Sequence, residues 1–103
     1  MPRGQRYTEK ASDDLDAMRR WLTQPGSGPR ARRLLAIIRA HIRQIRHTPC
    51  LYPVGSHPGV REWPCAGGYR ALYRVFPDTG RDETAGDVLV LSVFGPGQDR
   101  RMV

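Results

Sequence analysis

The sequence predicts an α+β fold of two layers, an N-terminal helical hairpin packed on an antiparallel sheet of three to four strands. Two amphipathic, helix-like stretches occupy the first half of the chain, and three strand-like stretches occupy the second. The two kinds are segregated instead of alternating, which goes with helices gathered on one face of an antiparallel sheet. At 103 residues the chain has room for one domain, spanning 1–103, that buries about two-thirds of its unfolded surface.

Arg3 to Tyr7 is a short, polar candidate for a leading strand. Thr8 then suits a helix N-cap, with Glu9 in the first turn where the helix dipole favours an acid. Ala11, Leu15, Met18 and Leu22 recur at helical spacing and put one apolar side on a helix running to about Thr23. Asp13, Asp14, Asp16, Arg19 and Arg20 take other faces, and Trp21 belongs cleanly to neither side. Gln24-Pro25-Gly26-Ser27-Gly28 breaks this helix, and Ser27 or Gly28 followed by Pro29 starts another.

The second helix is expected from about Pro29 to Arg46, with Ala31, Leu35, Ile38, Ile42 and Ile45 as its apolar stripe and Leu34 beside it. Arg32, Arg39, Arg43 and Arg46 line a different face. That face is either a binding surface or the solvated side of an ordinary amphipathic helix. Its lack of interleaved acids is unusual, because surface helices generally mix signs at i,i+4. The short connection makes the two helices an antiparallel hairpin.

Pro49, Pro53, Gly55 and Pro58 make Thr48 to Pro58 an ordered loop. Gly59 to Trp63 reads as the next strand. In Tyr69 to Phe76, Tyr69, Ala71, Tyr73 and Val75 share one face and Arg70, Leu72, Arg74 and Phe76 the other. Arginines thus sit between aromatics on a rigid sheet. Val88 to Phe94 is apolar almost throughout, which implies burial on both sides and a central position. Pro77 to Asp87 is a polar hairpin loop with no assigned function. Gly95-Pro96-Gly97 ends the last strand, and 96–103 is expected to be a flexible tail.

The net charge is +7. Up to His47 there are eleven Lys and Arg against four acids, and from Thr48 onward six against six, so the excess lies wholly in the first half. No acid occurs between Pro25 and Arg61. Such a field suits an anionic partner, either nucleic acid or an acidic protein segment. Every basic residue but Lys10 is Arg, which favours bidentate contact with phosphate or carboxylate; a GC-rich coding sequence produces the same bias without function.

The apolar runs fall short of a membrane span, and residues 1–10 lack the apolar stretch of a signal peptide, so a cytoplasmic protein is expected. Cys50 and Cys65 are expected to be reduced thiols with packing roles. Neither they nor His41, His47 and His57 have metal-site spacing, and no cofactor motif is present.

Taken in order, these residues resemble the RelE/ParE superfamily of bacterial toxins. The resemblance rests on Ala11, Asp14 and Leu15 in the first helix, a long second helix ending near a proline, Gly59-Val60-Arg61, Gly68-Tyr69-Arg70 through Tyr73-Arg74-Val75, and the strand from Val88 to Val93. No single motif is specific; the order and spacing carry it. It implies the toxin of a type II toxin–antitoxin module, of the kind tied to plasmid stabilization and growth arrest.

The superfamily divides by mechanism. RelE-like members are ribosome-dependent mRNA endoribonucleases, and for that branch Arg61 and Arg70 are the catalytic candidates. The chain has Trp63 where a further basic residue is expected, Gly95-Pro96-Gly97 where an arginine would follow the last strand, and no Tyr or His after Phe76. Arginine alone is a poor general base, since it stays protonated. The pattern is closer to ParE-like members, which inhibit DNA gyrase by protein binding. It departs from them at Gly95-Pro96-Gly97, where His or Arg is common. That resemblance implies Arg61, Arg70, Arg74 and Arg100 as target-binding residues. It also implies a ParD-like antitoxin, in a hetero-oligomer with the toxin, whose acidic C-terminal segment meets Arg32, Arg39, Arg43 and Trp21. A nonenzymatic nucleic-acid-binding domain using the arginine stripe is the third reading.

Overall fold

Thr8 caps the first helix as its side chain predicts. In the computed structural model, which describes residues 3–96, Thr8 Oγ1 accepts the Ala11 N–H at 3.1 Å and donates to the Leu91 carbonyl at 2.9 Å. One hydroxyl therefore starts the helix and stitches it to the sheet. The elements are β1 (Gln5–Tyr7), α1 (Glu9–Thr23), α2 (Gly28–Gln44), β2 (Arg61–Pro64), a 3₁₀ turn (Ala66–Gly68), β3 (Arg70–Phe76) and β4 (Asp87–Phe94). Of the expected tail only Pro96 lies among the described residues, and Arg100 lies outside them.

The helical hairpin forms from the two stripes read in the sequence. Ala11, Met18 and Leu22 of α1 are buried with Leu35, Ile38 and Ile42 of α2, and Ile45 follows in the turn. Leu15, Ala31 and Leu34 pack against them half-buried. α2 ends two residues before the expected Arg46. There the N–H groups of Ile45, His47 and Thr48 bond three residues back, to Ile42, Gln44 and Ile45, tightening the last turn out of α geometry.

The sheet differs from expectation in one respect. Its strand order is β1-β4-β3-β2, with β2, β3 and β4 antiparallel but β1 parallel to β4. The sheet is therefore mixed instead of wholly antiparallel. The chain reverses twice between β2 and β4, so β4 runs the way β2 does, and the hairpin and loop deliver β2 in the direction of β1. Strand direction at an edge follows from that count of reversals, which no local pattern carries.

β4 is central, as its apolar run predicts. Val88, Val90 and Val93 face the helices together with Ala71, Tyr73, Val75 and Trp63 in the main core. A smaller cluster of Val60, Leu72 and Phe94, with Leu91 against it, forms apart from that core. The β3–β4 register shifts by one residue between Leu72 and Tyr73. Leu72 pairs with Ser92 and Tyr73 with Val90, leaving Leu91 as the extra residue of a bulge.

That bulge is held by Asp14. Its Oδ2 accepts the Val93 N–H and the Ser92 hydroxyl, each at 3.0 Å, and Lys10 Nζ lies at 3.0 Å. Asp14→Ala leaves a buried backbone N–H and hydroxyl without an acceptor. A loss of about 2 kcal/mol in urea unfolding is expected; an unchanged midpoint would refute this role.

The loop from Pro77 to Gly86, without a role in the sequence reading, clamps the far end of the molecule. Asp82 Oδ1 accepts the Cys50 N–H at 2.8 Å, and the Arg3 guanidinium donates to the carbonyls of Asp82, Ala85 and Arg46. Gly86 closes the loop, donating its N–H to Pro77 O at 2.9 Å. A Cβ there would overlap the Phe76 carbonyl oxygen, a backbone atom with little room to move. Gly86→Ala is expected to cost at least about 2 kcal/mol, visible as a lowered melting temperature, while Gly80→Ala, with open space around it but positive φ, should cost only about 1 kcal/mol.

Candidate functional site: a helical groove and an open sheet face

The four target-facing arginines expected from the sequence do not form one surface. Directly paired residues on adjacent strands share a face, so Arg61, opposite Tyr73, lies on the core side of the sheet. Arg70, three residues from Tyr73, and Arg74, next to it, lie on the other side, away from the helices. Arg100 is outside the described residues.

Arg61 is 8 % exposed and its guanidinium is engaged within the fold. Nε and Nη2 bond Asp78 Oδ2 and Oδ1 at 2.9 and 3.0 Å, and Nη1 donates to the Tyr52 carbonyl at 2.6 Å. Its acid partner is thus Asp78, not the adjacent Glu62. The hydrogen bond from Arg61 lowers the Asp78 pKa, and the same bond raises that of Arg61. Tyr73, fully buried beside this pair, donates its hydroxyl to Pro49 O at 2.6 Å, and burial pushes its pKa up. The cluster joins β2, β3, the loop before β2 and the loop before β4. Burial favours the protonated phenol of Tyr73, and the hydrogen bond from Arg61 favours the ionised carboxylate of Asp78.

Arg70 is partly exposed, with Nε 3.3 Å from Glu62 Oε1. A carboxylate therefore stands beside Arg70, as the anchor of an exposed-side ion pair. Arg74 packs over Gly59, where a Cβ would approach its Nη1 to 2.8 Å. Arg6, exposed on β1 and not singled out by the sequence, pairs with Leu89, which also pairs with Arg74. Arg6, Arg70 and Arg74, with exposed Phe76 at the end of β3, give the open face a mixed cationic and apolar character.

The second candidate surface lies on the helical hairpin. A hollow of about 680 Å³ is lined by Met18, Trp21, Leu22, Leu34, Tyr69 and Pro96 among others. It meets, at Leu22 and Leu34, a second of about 460 Å³ that adds Arg30, Ala31, Arg33 and Ile37. Trp21 is 64 % exposed and Ile37 40 %. Together they make a groove with an apolar floor, a tryptophan on one wall and two arginines on the rim. Asp14, the acid in its lining, is turned to Lys10, Ser92 and Val93.

Arg30, Arg33 and Ile37 were not singled out in the sequence, although their i, i+3, i+7 spacing puts them on one flank of α2. Arg32, Arg39 and Arg43 occupy the opposite flank and are exposed. Of the four residues expected to meet an antitoxin, only Trp21 lines the groove.

Cys50 and Cys65 are free thiols, and burial raises both pKa values, that of Cys65 to about 11. Among the described residues no group of His, Cys, Asp and Glu is arranged to hold a metal ion. No helix among them is long and apolar enough to cross a membrane.

Comparisons with known proteins bear on the family and the fold. A family model described as "ParE toxin of type II toxin-antitoxin system, parDE" matches residues 6–99. No curated protein matches the sequence. A solved structure described as "Chromosomal ParDE TA system from P. aeruginosa" is similar, with a TM-score of 0.64 and 19 % identity over 89 % of this chain and 94 % of that one. At that identity the likeness establishes a shared fold.

Proposed function

The chain belongs to the ParE toxin family of type II toxin–antitoxin systems, and from that premise we propose that it is a cytoplasmic toxin that inhibits DNA gyrase by binding it and is silenced by a ParD-like antitoxin. The observation that carries the antitoxin half is the groove: an apolar floor with Arg30 and Arg33 on its rim, in a stretch from 26 to 60 that has no acid. An amphipathic helix with acidic flanks matches it, laying its apolar face on Leu22, Leu34 and Ile37 against Trp21 and its carboxylates on the two arginines. In this reading the antitoxin's C-terminal segment fills the groove and forms the hetero-oligomer, while Arg32, Arg39 and Arg43 stay outside it.

The target half rests on the sheet face away from the helices, where strand geometry holds Arg70 over the buried Leu72 and Phe94 and Arg74 next to the exposed Phe76. Arg61 is left out as an internal strut. The endoribonuclease alternative needs Arg61 and Arg70 together, and strand register sends them to opposite faces, so no observation favours it.

The test is a supercoiling assay with purified toxin and gyrase. Inhibition is expected, relieved by the product of the neighbouring small reading frame. The double variant Arg70→Glu/Arg74→Glu should weaken inhibition at least about tenfold, consistent with loss of a few kcal/mol of interfacial charge contact, with antitoxin binding retained. Gyrase untouched at every toxin concentration would end the target assignment, and codon-specific cuts in translated mRNA abolished by Arg70→Ala would replace it with the ribonuclease reading.

A further inference from the structure

The flank of α2 that the groove does not use carries its own signal. Arg32, Arg39 and Arg43 are exposed there, and Arg46 continues the row in the turn just past the helix end. At 1.5 Å per residue the row is about 21 Å long. Its small neighbours, Ala36 and Ala40, are also exposed, so nothing bulky stands between the guanidinium groups and an approaching surface. At the row's end Arg43 and Arg46 open onto a cleft of about 510 Å³ shared with Gln5 and Tyr7. The Gln5 amide donates to the Ile42 carbonyl and to Tyr7 Oη at 2.8 and 3.0 Å, which fixes the floor of that cleft.

The chemistry of this flank separates the kinds of anionic partner. Protein interfaces centre on aromatic, aliphatic and arginine side chains packed together in desolvated pockets, and on this flank the arginines have only the exposed Ala36 and Ala40 between them. Single-stranded nucleic acid is held largely by aromatic rings spaced to stack successive bases, whereas the rings beside this row, Tyr7 and His47, both sit in the cleft at its end and none accompanies it from Arg32 to Arg43. Duplex nucleic acid asks for neither. Its interfaces are polar and strongly positive, and most of their hydrogen bonds go to phosphate. A straight row of side chains suited to bidentate phosphate contact meets that requirement.

We infer that the Arg32–Arg39–Arg43–Arg46 row is a second binding surface, separate from the groove, that grips the phosphate backbone of duplex DNA, with the Arg43–Arg46 cleft seating one phosphate. The inference does not depend on the identity of the toxin's target. It allows the groove and the row to be occupied at once, so a toxin held by a protein partner still contributes DNA contacts.

Fluorescence anisotropy of the full chain with a labelled 20-base-pair duplex over a salt series tests it. Four phosphate contacts predict a slope of log affinity against log salt of about −3.6, or about 150-fold weaker binding at 200 mM than at 50 mM. Arg32→Gln/Arg39→Gln/Arg43→Gln should bring the slope to about −0.9 and weaken binding more than about tenfold, while Arg30→Gln/Arg33→Gln changes it less than about twofold. A wild-type slope shallower than about −2 overturns the inference without recourse to any variant. So does a triple variant that binds as the wild type does, tighter binding of the single strand, or displacement of the duplex by an acidic amphipathic peptide that fills the groove.

Discussion

Arg61→Ala is expected to lose about 3 kcal/mol of stability, because it removes one partner of an ion pair whose guanidinium is nearly fully buried and leaves Asp78 with an uncompensated charge. Losses of 3 to 5 kcal/mol are typical for fully buried pairs; Asp78 keeps about a quarter of its side chain in water, which places the loss at the low end. For a domain whose total is of order 5 to 15 kcal/mol, that is a large share. The melting temperature should drop by more than about 12 °C. Arg70→Ala, which opens a partly exposed pair with Glu62, should cost no more than about 1 kcal/mol.

The pair also sets an acid limit. The Asp78 pKa is lowered in the fold, so its contribution is fully present above the unfolded carboxyl value of about 3.9 and fades as pH falls through the lower folded value. The gap between wild type and Arg61→Ala should accordingly be constant from neutrality to about pH 5 and shrink below about pH 4. A gap that stays constant to pH 2, or an Arg61→Ala variant as stable as the wild type, would remove the pair from its structural role. The comparison bears on function as well. If Arg61→Ala abolishes growth arrest, the cause is a failing fold, whereas a loss in the stable Arg70→Ala variant reports on a contact surface.

Trp21→Ala carries the second large expectation, in affinity instead of stability. The side chain is 64 % exposed, so its removal should leave the urea midpoint within about 0.5 kcal/mol. As the aromatic wall of a groove filled by the antitoxin helix, it has the character of an interfacial anchor, for which truncation costs about 2 to 4 kcal/mol. Calorimetric titration with the antitoxin's C-terminal fragment should then show binding weakened roughly 30- to 1000-fold. Arg30→Gln/Arg33→Gln should act differently, slowing association and flattening its salt dependence with a smaller effect on dissociation. A change of less than about threefold for Trp21→Ala would move the antitoxin off this groove.

Much of the scaffold could be read from local patterns. The stripes Ala11–Met18–Leu22 and Leu35–Ile38–Ile42 became the buried faces of α1 and α2, Thr8 became a cap, and the apolar run of β4 became the central strand. These features follow from periodicity and from hydrogen-bonding needs within a few residues. The Leu91 bulge was not legible, since it depends on Asp14 reaching across from α1. Trp21 was ambiguous in the sequence for a related reason: it sits beside the apolar stripe, and only the positions of Tyr69 and Pro96 make its surroundings a groove.

The sequence alone determined the element types, the clustering of positive charge in the first half and the family resemblance, because each depends on composition or on short-range spacing. Tertiary structure decided what the arginines meet. Arg61 meets Asp78 in the interior while Arg70 meets Glu62 at the surface, and Arg30 and Arg33 border a groove that Arg32, Arg39 and Arg43 do not line. A side chain's direction is set by its own element's period, but its partner is set by the register and packing of segments distant in sequence, as with Asp78, 17 residues from Arg61.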